Sequence, residues 1–150
     1  MHQLIFYLGK LGFDSLEASI KTPRLISGLS NVRDISCGRY HSLFLTSEGR
    51  VYSCGNNEYG NLGLGTISRL PIPRLISVLS NVREIACGYL HSLFLTSEGR
   101  VYSCGSNWNG QLGLGTGGEG TKETSPTLIT NVSNVREIAC GYDHSILICG

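Results

Sequence analysis

The sequence predicts an all-β fold assembled from a unit of about 50 residues that occurs about three times. Residues Val82–Gly105 repeat Val32–Gly55 with 20 of 24 positions identical at an offset of 50, and a third copy begins at Val135. An internal period of this length is typical of repeat proteins, in which each unit packs on the next. Each unit holds about four short segments with strand patterning, which is the number of strands in one blade of a β-propeller. The sequence therefore predicts a partial β-propeller of about three four-stranded blades.

The strands of the first complete unit can be placed from its apolar pattern and turn residues. Val32–Cys37 is predicted as the first strand, and Ser42–Thr46 is a nearly continuous apolar run, which is typical of a strand covered on both faces. Gly49 lies in a hairpin turn and can adopt a positive φ at little cost, so Val51–Cys54 is predicted as the third strand. A short fourth strand is predicted at Leu75–Ser77. No helical periodicity is sustained, which argues against a parallel sheet covered by helices.

We expect a single repeat domain with a partial unit at each end. The predicted parts are a partial repeat over 1–31, repeats over 32–81 and 82–134, and a partial repeat over 135–150. In the first part, Leu8–Gly12 resembles Tyr59–Gly63, and residues 14–18 have the pattern of a helical turn. The last part is predicted to stop in its second strand.

Composition narrows the classes of function. The net charge is +1 and there is no run of basic residues, so direct binding to nucleic acid or to an anionic membrane surface has no electrostatic support. No apolar run approaches the roughly 20 residues of a membrane span, and the N-terminal residues lack a secretory pattern. We therefore expect a cytoplasmic or nuclear location. Five of the six cysteines follow the repeat at strand ends, where we predict free thiols that pack as small apolar side chains.

The repeated Cys, His and Ser residues suggest three kinds of chemistry, and none is complete. Cys and His lie four residues apart in each unit, as in Cys87 and His91, and both types bind zinc. The pairs are about 50 residues apart, so we expect no metal and predict that each His bonds a backbone group near its own connection. Adjacent residues such as His91 and Ser92 point to opposite faces of a strand and cannot act as base and nucleophile. Gly113–Gly118 matches G-x-G-x-x-G without a following helix, so no dinucleotide cofactor is expected.

The positions at which the nearly identical units differ are the candidate binding residues. The middle pair of each G-x-x-H connection changes between units, as does the loop after the third strand. Variable side chains on a rigid frame are typical of binding surfaces, and Tyr, Trp and Arg are common interface anchors. Drift at unconstrained loop positions is the alternative, as is packing of Trp108 between blades. The candidate partner-binding residues are Arg39, Tyr40, Tyr89, Leu90, Tyr142, Asp143, Asn57, Tyr59, Asn107 and Trp108.

Several repeated phrases resemble one known family. V-R-x-I-x-C-G-x-x-H-S, S-E-G-R-V-Y-S-C-G and G-x-L-G-L-G, spread over Pro23–Gly150, are similar to the regulator-of-chromosome-condensation repeat. The resemblance implies a β-propeller, usually of seven blades, although Cys54 and Cys104 occupy a position that often holds Trp in that family. In exchange-factor members, acidic and His residues of the G-x-x-H connections face a Ran-type GTPase. Asp143 is the one residue here that fits the acidic role, and no insertion is long enough to be an obvious wedge at a nucleotide site.

The sequence favours a non-enzymatic protein-interaction module that presents variable loops to a protein partner. The alternative is a guanine-nucleotide exchange factor for a small Ran-type GTPase. A hydrolase or metal enzyme is a weaker third class, because no complete catalytic set is present. About three blades cannot close a seven-bladed ring, so the end blades are expected to expose apolar faces. Those faces suggest self-association, a fragment of a longer protein, or an open arc of marginal stability.

Overall fold

The computed structural model describes residues 6–9 and 20–150, and the regular structure in these ranges is entirely β-strand. No helix in the described residues is long and apolar enough to cross a membrane. The strands in the described part are β1 Phe6–Gly9, β2 Ile20–Leu25, β3 Val32–Cys37, β4 His41–Thr46, β5 Val51–Gly55, β6 Leu70–Leu75, β7 Val82–Cys87, β8 His91–Thr96, β9 Val101–Ser106, β10 Lys122–Leu128, β11 Val135–Cys140 and β12 Ser145–Cys149.

The strands form two complete blades and two half-blades. Strands β3 to β6 make one four-stranded antiparallel sheet in chain order, and β7 to β10 make a second; we call these blade 1 and blade 2. The pair β1–β2 is the outer half-blade, and the pair β11–β12 is the inner half-blade. The first strands β3, β7 and β11 contact one another from blade to blade, so the sheets stack around a shared centre. The predicted all-β partial propeller is confirmed.

The fourth strand of blade 1 lies earlier than the predicted Leu75–Ser77. It runs over Leu70–Leu75, where Tyr52 is opposite Leu75 and Gly55 is opposite Leu70. Two prolines are tolerated because this strand is at the edge of the sheet, where unpaired backbone positions are available. Ile76 has already left the strand, and it is fully buried while its N–H donates to the carbonyl of Val51 at 2.9 Å. The predicted position was wrong because prolines interrupt strand patterning in a sequence, although an edge strand tolerates them.

The outer half-blade is the last half of a blade. Phe6 pairs with Leu25 and Gly9 pairs with Ile20, in the same register as the third and fourth strands of blade 1. This register places Gly9 at the position of Gly55. The predicted resemblance of Leu8–Gly12 to Tyr59–Gly63, which matched Gly9 to Gly60, is therefore corrected. The other residues of that comparison, 10–12, lie outside the described residues, as does the helical turn predicted over 14–18.

The hydrophobic core lies between neighbouring blades. Strands β4 and β8 are buried along their whole length, as expected for strands covered on both faces. One cluster joins blade 1 to blade 2 and contains Leu43, Leu45, Val51, Ile76, Leu79, Val82, Ile85, Phe94 and Cys104. A second joins blade 2 to the inner half-blade and contains Ala86, Leu93, Leu95, Val101, Ile129, Val135 and Ile138. Because each cluster draws on two sheets, each blade depends on the next for burial.

Two kinds of connection emerge on one face of the arc. The G-x-x-H connection joins the first and second strands of a blade, and a longer loop joins the third and fourth strands. Since neighbouring strands are antiparallel, both connections lie at the same end of the blade. The N–H of Asn56 donates to the carbonyl of Tyr40 at 2.8 Å, and that of Ser106 donates to the carbonyl of Leu90 at 2.9 Å. We call this end of the blades the loop face. The opposite end, which carries the Ser47–Arg50 hairpin, is the hairpin face.

Candidate protein-interaction surface

All ten candidate residues belong to the two connections of the loop face. Close backbone approach holds the connections together: a Cβ at Gly55, whose φ is 117°, would lie 2.3 Å from the carbonyl oxygen of Tyr40. Only glycine fits this position, because other residues rarely adopt this φ and the carbonyl belongs to the backbone. The sequence therefore fixes the relative placement of the two variable loops in each blade.

The first members of the three G-x-x-H pairs stack on one another across the arc. The guanidinium carbon of Arg39 lies 4.5 Å from the ring centroid of Tyr89, and Tyr89 stacks on Tyr142 with centroids 3.7 Å apart and an interplanar angle of 24°. Backbone bonds follow the same path, from the N–H of Arg39 to the carbonyl of Tyr89 at 3.2 Å, and from the N–H of Tyr89 to that of Tyr142 at 3.0 Å. The result is a preformed row of one cation and two aromatic rings.

The second members of the pairs flank this row. Tyr40 is 39% exposed and its ring centroid lies 4.5 Å from the Arg39 guanidinium carbon. Leu90 and Asp143 are half-buried. Asp143 lines a surface cleft together with Asn109, Gln111 and His144. The three units therefore present an aromatic, an aliphatic and an acidic side chain at equivalent places.

Trp108 and Tyr59 bring the long loops of neighbouring blades into contact. Their ring centroids are 6.0 Å apart with an interplanar angle of 80°, an edge-to-face arrangement. Trp108 is nevertheless 44% exposed, while Tyr59 is half-buried. The packing role considered for Trp108 and the contact role are thus both compatible with its position.

The two candidate asparagines lie inside their loops. Asn57 is fully buried; its amide donates to the carbonyl of Thr66 at 2.8 Å and its side-chain oxygen accepts from the N–H of Leu62 at 3.0 Å. Asn107 makes the equivalent bonds to Thr116 and Leu112 at 2.9 Å and 3.1 Å. Because both side chains are buried and their polar atoms are bonded within the loop, these two residues hold the shape of the loop.

The repeated histidines connect one blade to the next, which corrects the expected bond to a backbone group near the same connection. The Nε2 of His41 lies 3.0 Å from the hydroxyl of Ser92, and the Nε2 of His91 lies 3.0 Å from that of Ser145. The Ser92 hydroxyl donates to the carbonyl of Asn61 at 2.7 Å, so Nε2–H must donate to the serine oxygen. The sequence repeat could have indicated this contact between blades, because His and Ser both recur in every unit.

These two His–Ser contacts, which we call the histidine relay, are buried, and their histidines are neutral. His41 and His91 are 2% and 0% exposed, and their Nδ1 atoms have no partner among the described residues. Burial, reinforced by the neighbouring His91, lowers the pKa of His41 to about 4. Burial likewise lowers the pKa of His91 to about 4, with His144 adding to the effect. A buried, neutral His–Ser pair stabilises the blade contact and is closed to a substrate.

The cysteines are free thiols, and four of them lie in surroundings that disfavour the thiolate. Burial raises the pKa of Cys54 and that of Cys140 to about 12, and it raises the pKa of Cys87 and Cys104 further. A buried thiol of high pKa packs as an apolar group. Cys37 departs from the predicted packing role because it is exposed.

Comparison with known proteins identifies the repeat. The family model described as the regulator of chromosome condensation (RCC1) repeat matches residues 7–45, 48–95 and 98–148. The chain belongs to the RCC1 repeat family. A second RCC1 repeat model matches residues 32–61 and 82–111. The family resemblance drawn from the repeated phrases is confirmed.

Curated RCC1 relatives share single stretches of the chain. Human protein RCC2 is 44% identical over 59 residues, which cover 38% of this chain and 11% of RCC2. The human probable E3 ubiquitin-protein ligase HERC6 is 41% identical over 59 residues, covering 38% of this chain and 6% of HERC6. Protein pim1 of Schizosaccharomyces pombe is 46% identical over 46 residues, or 31% of this chain and 8% of pim1. The matched stretches are therefore a small part of each relative.

Solved structures match nearly the whole arc. Prp20p of Saccharomyces cerevisiae, whose structure was reported with its binding properties to Gsp1p and histones, superposes with a TM-score of 0.83 at 25% identity, covering 96% of this chain and 38% of Prp20p. Human WBSCR16 gives a TM-score of 0.78 at 27% identity, covering 94% of this chain and 37% of WBSCR16. Yeast RCC1 (Prp20) in complex with Kap60 gives 0.77 at 27%, covering 94% and 35%. The chain thus spans well under half of each solved protein.

Proposed function

We propose that this chain is a non-enzymatic protein-interaction module that binds a protein partner through its loop face. The observation that carries the proposal is the row formed by Arg39, Tyr89 and Tyr142, which extends over three sheets with centroid distances of 4.5 Å and 3.7 Å. Tyr142 at the end of the row is 59% exposed. A row whose side chains are already stacked loses little conformational freedom when a partner docks on it.

The chemistry of the loop face suits a protein surface. Tyr40, Trp108 and Tyr142 are exposed aromatic side chains, and the Arg39 guanidinium lies against the Tyr40 ring. Aromatic and Arg residues dominate the binding energy of many protein interfaces. Variation at these positions between otherwise identical units gives each blade a different contact, which is how a repeated scaffold recognises a partner without internal symmetry.

The solved relatives support a protein partner. Prp20p was reported with binding to Gsp1p and histones, and yeast RCC1 (Prp20) was solved bound to Kap60. This chain covers 38% of Prp20p, so a partner is proposed here on the loop face and not carried over from the whole relative. Gsp1p, histones and Kap60 are the natural first probes.

The test compares loop-face variants with a variant on the hairpin face. We expect Trp108→Ala and Tyr142→Ala each to weaken binding to whichever probe binds by about 10-fold, which is the range of an interface anchor. Val78→Ala is the matched control, because Val78 is an apolar side chain that is 71% exposed in the link on the hairpin face. Equal loss with Val78→Ala, or unchanged binding with both loop-face variants, would contradict the proposal.

Nucleotide exchange on a small Ran-type GTPase is the second candidate, and Asp143 is the observation that favours it. Its half-buried carboxylate lies in the cleft next to His144, and it is the acidic residue among the three G-x-x-H pairs. If this function operates, the chain accelerates release of labelled GDP from the GTPase and Asp143→Asn abolishes that acceleration. Binding without acceleration of GDP release leaves the module function and rejects exchange.

A further inference from the structure

The fourth strand of each blade carries the same bulge. In blade 2, the register leaves residues 124–126 of β10 opposite the single residue Cys104. In blade 1, residues 71–73 of β6 lie opposite Cys54 in the same way, and the register of the outer half-blade shifts at residues 21–23 of β2. Three residues opposite one leave backbone groups out of the ladder and bend the strand away from the sheet. Each bulge therefore projects from the outer edge of its blade.

The third residue of every bulge is proline, and the residue before it is exposed. The prolines are Pro23, Pro73 and Pro126. The exposed residues before them are Thr22, Ile72 and Ser125. Proline has no N–H for the ladder, and it disfavours the helical conformation for the residue that precedes it. Each bulge thus presents one side chain on an extended backbone that is open to solvent.

The hydroxyl of Ser125 is free, unlike those of the serines in the third strands. Ser53 and Ser103 are fully buried, and they donate to backbone carbonyls at 2.8 Å and 2.9 Å. Ser125 is exposed, and its hydroxyl has no hydrogen-bond partner within the described ranges. Its hydroxyl can therefore enter the active site of another protein without breaking a bond in this one.

The long loop of blade 1 holds the bulge of blade 2 on both sides of Ser125. The N–H of Gly65 donates to the carbonyl of Thr124 at 2.9 Å. Pro126 packs on Gly63, where a Cβ would lie 3.1 Å from the Cγ of the proline ring. The Ser125 hydroxyl lies 3.5 Å from the place a Cβ of Gly65 would take. Because Gly65 has no side chain, the hydroxyl is held in place without being covered by this neighbour.

We propose that Ser125 is a phosphorylation site for a serine/threonine kinase that requires proline directly after the acceptor. The kinase brings ATP as the second substrate. The Ser125 Oγ forms a bond to the γ-phosphorus while its proton passes to a base of the kinase, the bond from that phosphorus to the bridging oxygen breaks, and ADP leaves. Proline suits the next position because it brings no N–H that must be satisfied when the kinase covers it.

The modification places charge at the outer edge of the contact between blades 1 and 2. A phosphoserine carries a charge of about −2 at neutral pH, and Ser125 lies beside Gly65 of the blade 1 loop. This site is separate from the ten candidate residues of the loop face, so it does not rest on the proposed function.

The test incubates the full chain with ATP labelled at its γ-phosphate and two purified proline-directed kinases, one mitogen-activated and one cyclin-dependent. We expect label at Ser125, with the site mapped by mass spectrometry. Ser125→Ala should abolish that label, and Pro126→Ala should slow it by about 10-fold because the kinase pocket selects proline. Circular dichroism verifies that each variant keeps its β-sheet content. A chain that neither kinase labels at Ser125, or a Pro126→Ala chain labelled as fast as the unaltered one, would overturn the proposal.

The repeat supplies a matched gain of function for the geometry of the bulge. Ile72 is 67% exposed at the same place in the bulge of blade 1, so Ile72→Ser in a Ser125→Ala chain should restore labelling, now at position 72. Val78→Ser in the same chain is the control, because Val78 is 71% exposed but is followed by leucine, and it should stay unlabelled. An Ile72→Ser chain that stays unlabelled, or a Val78→Ser chain that is labelled equally, would contradict the role of the bulge.

A synthetic peptide of residues 118–132 shows whether the folded bulge itself is the substrate. We expect Ser125 in the full chain to be labelled within about 10-fold of the rate in the peptide, since no unfolding is needed to reach it. A full chain labelled more than about 100-fold more slowly would show that the kinase reaches Ser125 only after local unfolding, which would overturn the proposal.

Discussion

The face of blade 2 that packs on the inner half-blade and the corresponding face of the inner half-blade are built from nearly the same residues in two environments. Leu93 is 0% exposed in blade 2, and Ile146 at the equivalent position is 56% exposed. His91 is buried and bonded to Ser145, whereas His144 is exposed. Position in the repeat therefore determines which side a residue faces, and the neighbouring blade determines whether it is buried.

This difference means that stability is unevenly distributed along a chain of similar repeats. In a stacked array, the free energy of folding is largely the sum of the contacts between neighbours. The same substitution should thus have a large effect where a blade is covered and a small one where it is not. Three sets of substitutions make this comparison quantitative.

Truncation of an apolar side chain should give the largest difference. Leu93→Ala removes buried methyl groups from the cluster between blade 2 and the inner half-blade, and we expect the free energy of unfolding to fall by about 3 kcal/mol. Ile146→Ala, at the equivalent but exposed position, should cost less than about 1 kcal/mol. Chemical denaturation of the two variants measures both values, and comparable losses would contradict the exposed position of Ile146.

Acid should weaken the covered interface next. The folded pKa of His91 is about 4, below its ordinary value of 6.5, so the unfolded chain binds the extra proton first. Stability is retained above pH 6.5 and falls as pH decreases towards 4, by about 2 kcal/mol for this ring at pH 5. His91→Gln, which cannot titrate, should reduce the loss of stability between pH 7 and pH 5 by that amount.

The contradicting outcome is a His91→Gln variant that loses as much stability between pH 7 and pH 5 as the unaltered chain. That result would show that burial of His91 by the next blade is not the source of the acid sensitivity.

The smallest difference should come from the arginines of the first strands. Arg83 donates to the carbonyls of Arg136 and Val135 at 2.6 Å and 3.3 Å, and Arg83→Ala should cost about 1 kcal/mol because the pair is only partly shielded from water. Arg136→Ala removes no described hydrogen bond and should be nearly neutral. Thermal unfolding would resolve the two, and a larger loss with Arg136→Ala would contradict the assignment of Arg83 as the donor of this contact.

Much of the arc could be predicted from the repeat itself. The near-identity of Val32–Gly55 and Val82–Gly105 indicated two similar sheets, and Gly49 and the apolar runs placed three of the four strands. The fourth strand was misplaced because Pro71 and Pro73 disfavour a central strand but are allowed at an edge. A single sequence does not show which strand lies at the edge.

The candidate surface was predicted less completely. Both variable connections were located, but Asn57 and Asn107 were grouped with them although the two residues are identical between units. Identity amid variable neighbours was the signal of their structural role. The His41–Ser92 contact was missed because its partners lie 51 residues apart, and such contacts depend on how blades stack, which local pattern does not describe.

Nuclear magnetic resonance of the histidine rings tests most directly whether the histidine of each blade is buried by the next blade and bonded to its serine. We predict that His41 and His91 carry their proton on Nε2, that these protons exchange slowly with water, and that both rings titrate near pH 4. Protons on Nδ1, or titration of both rings near 6.5, would contradict the account, because neither is compatible with a buried bond from Nε2 to a serine of the next blade.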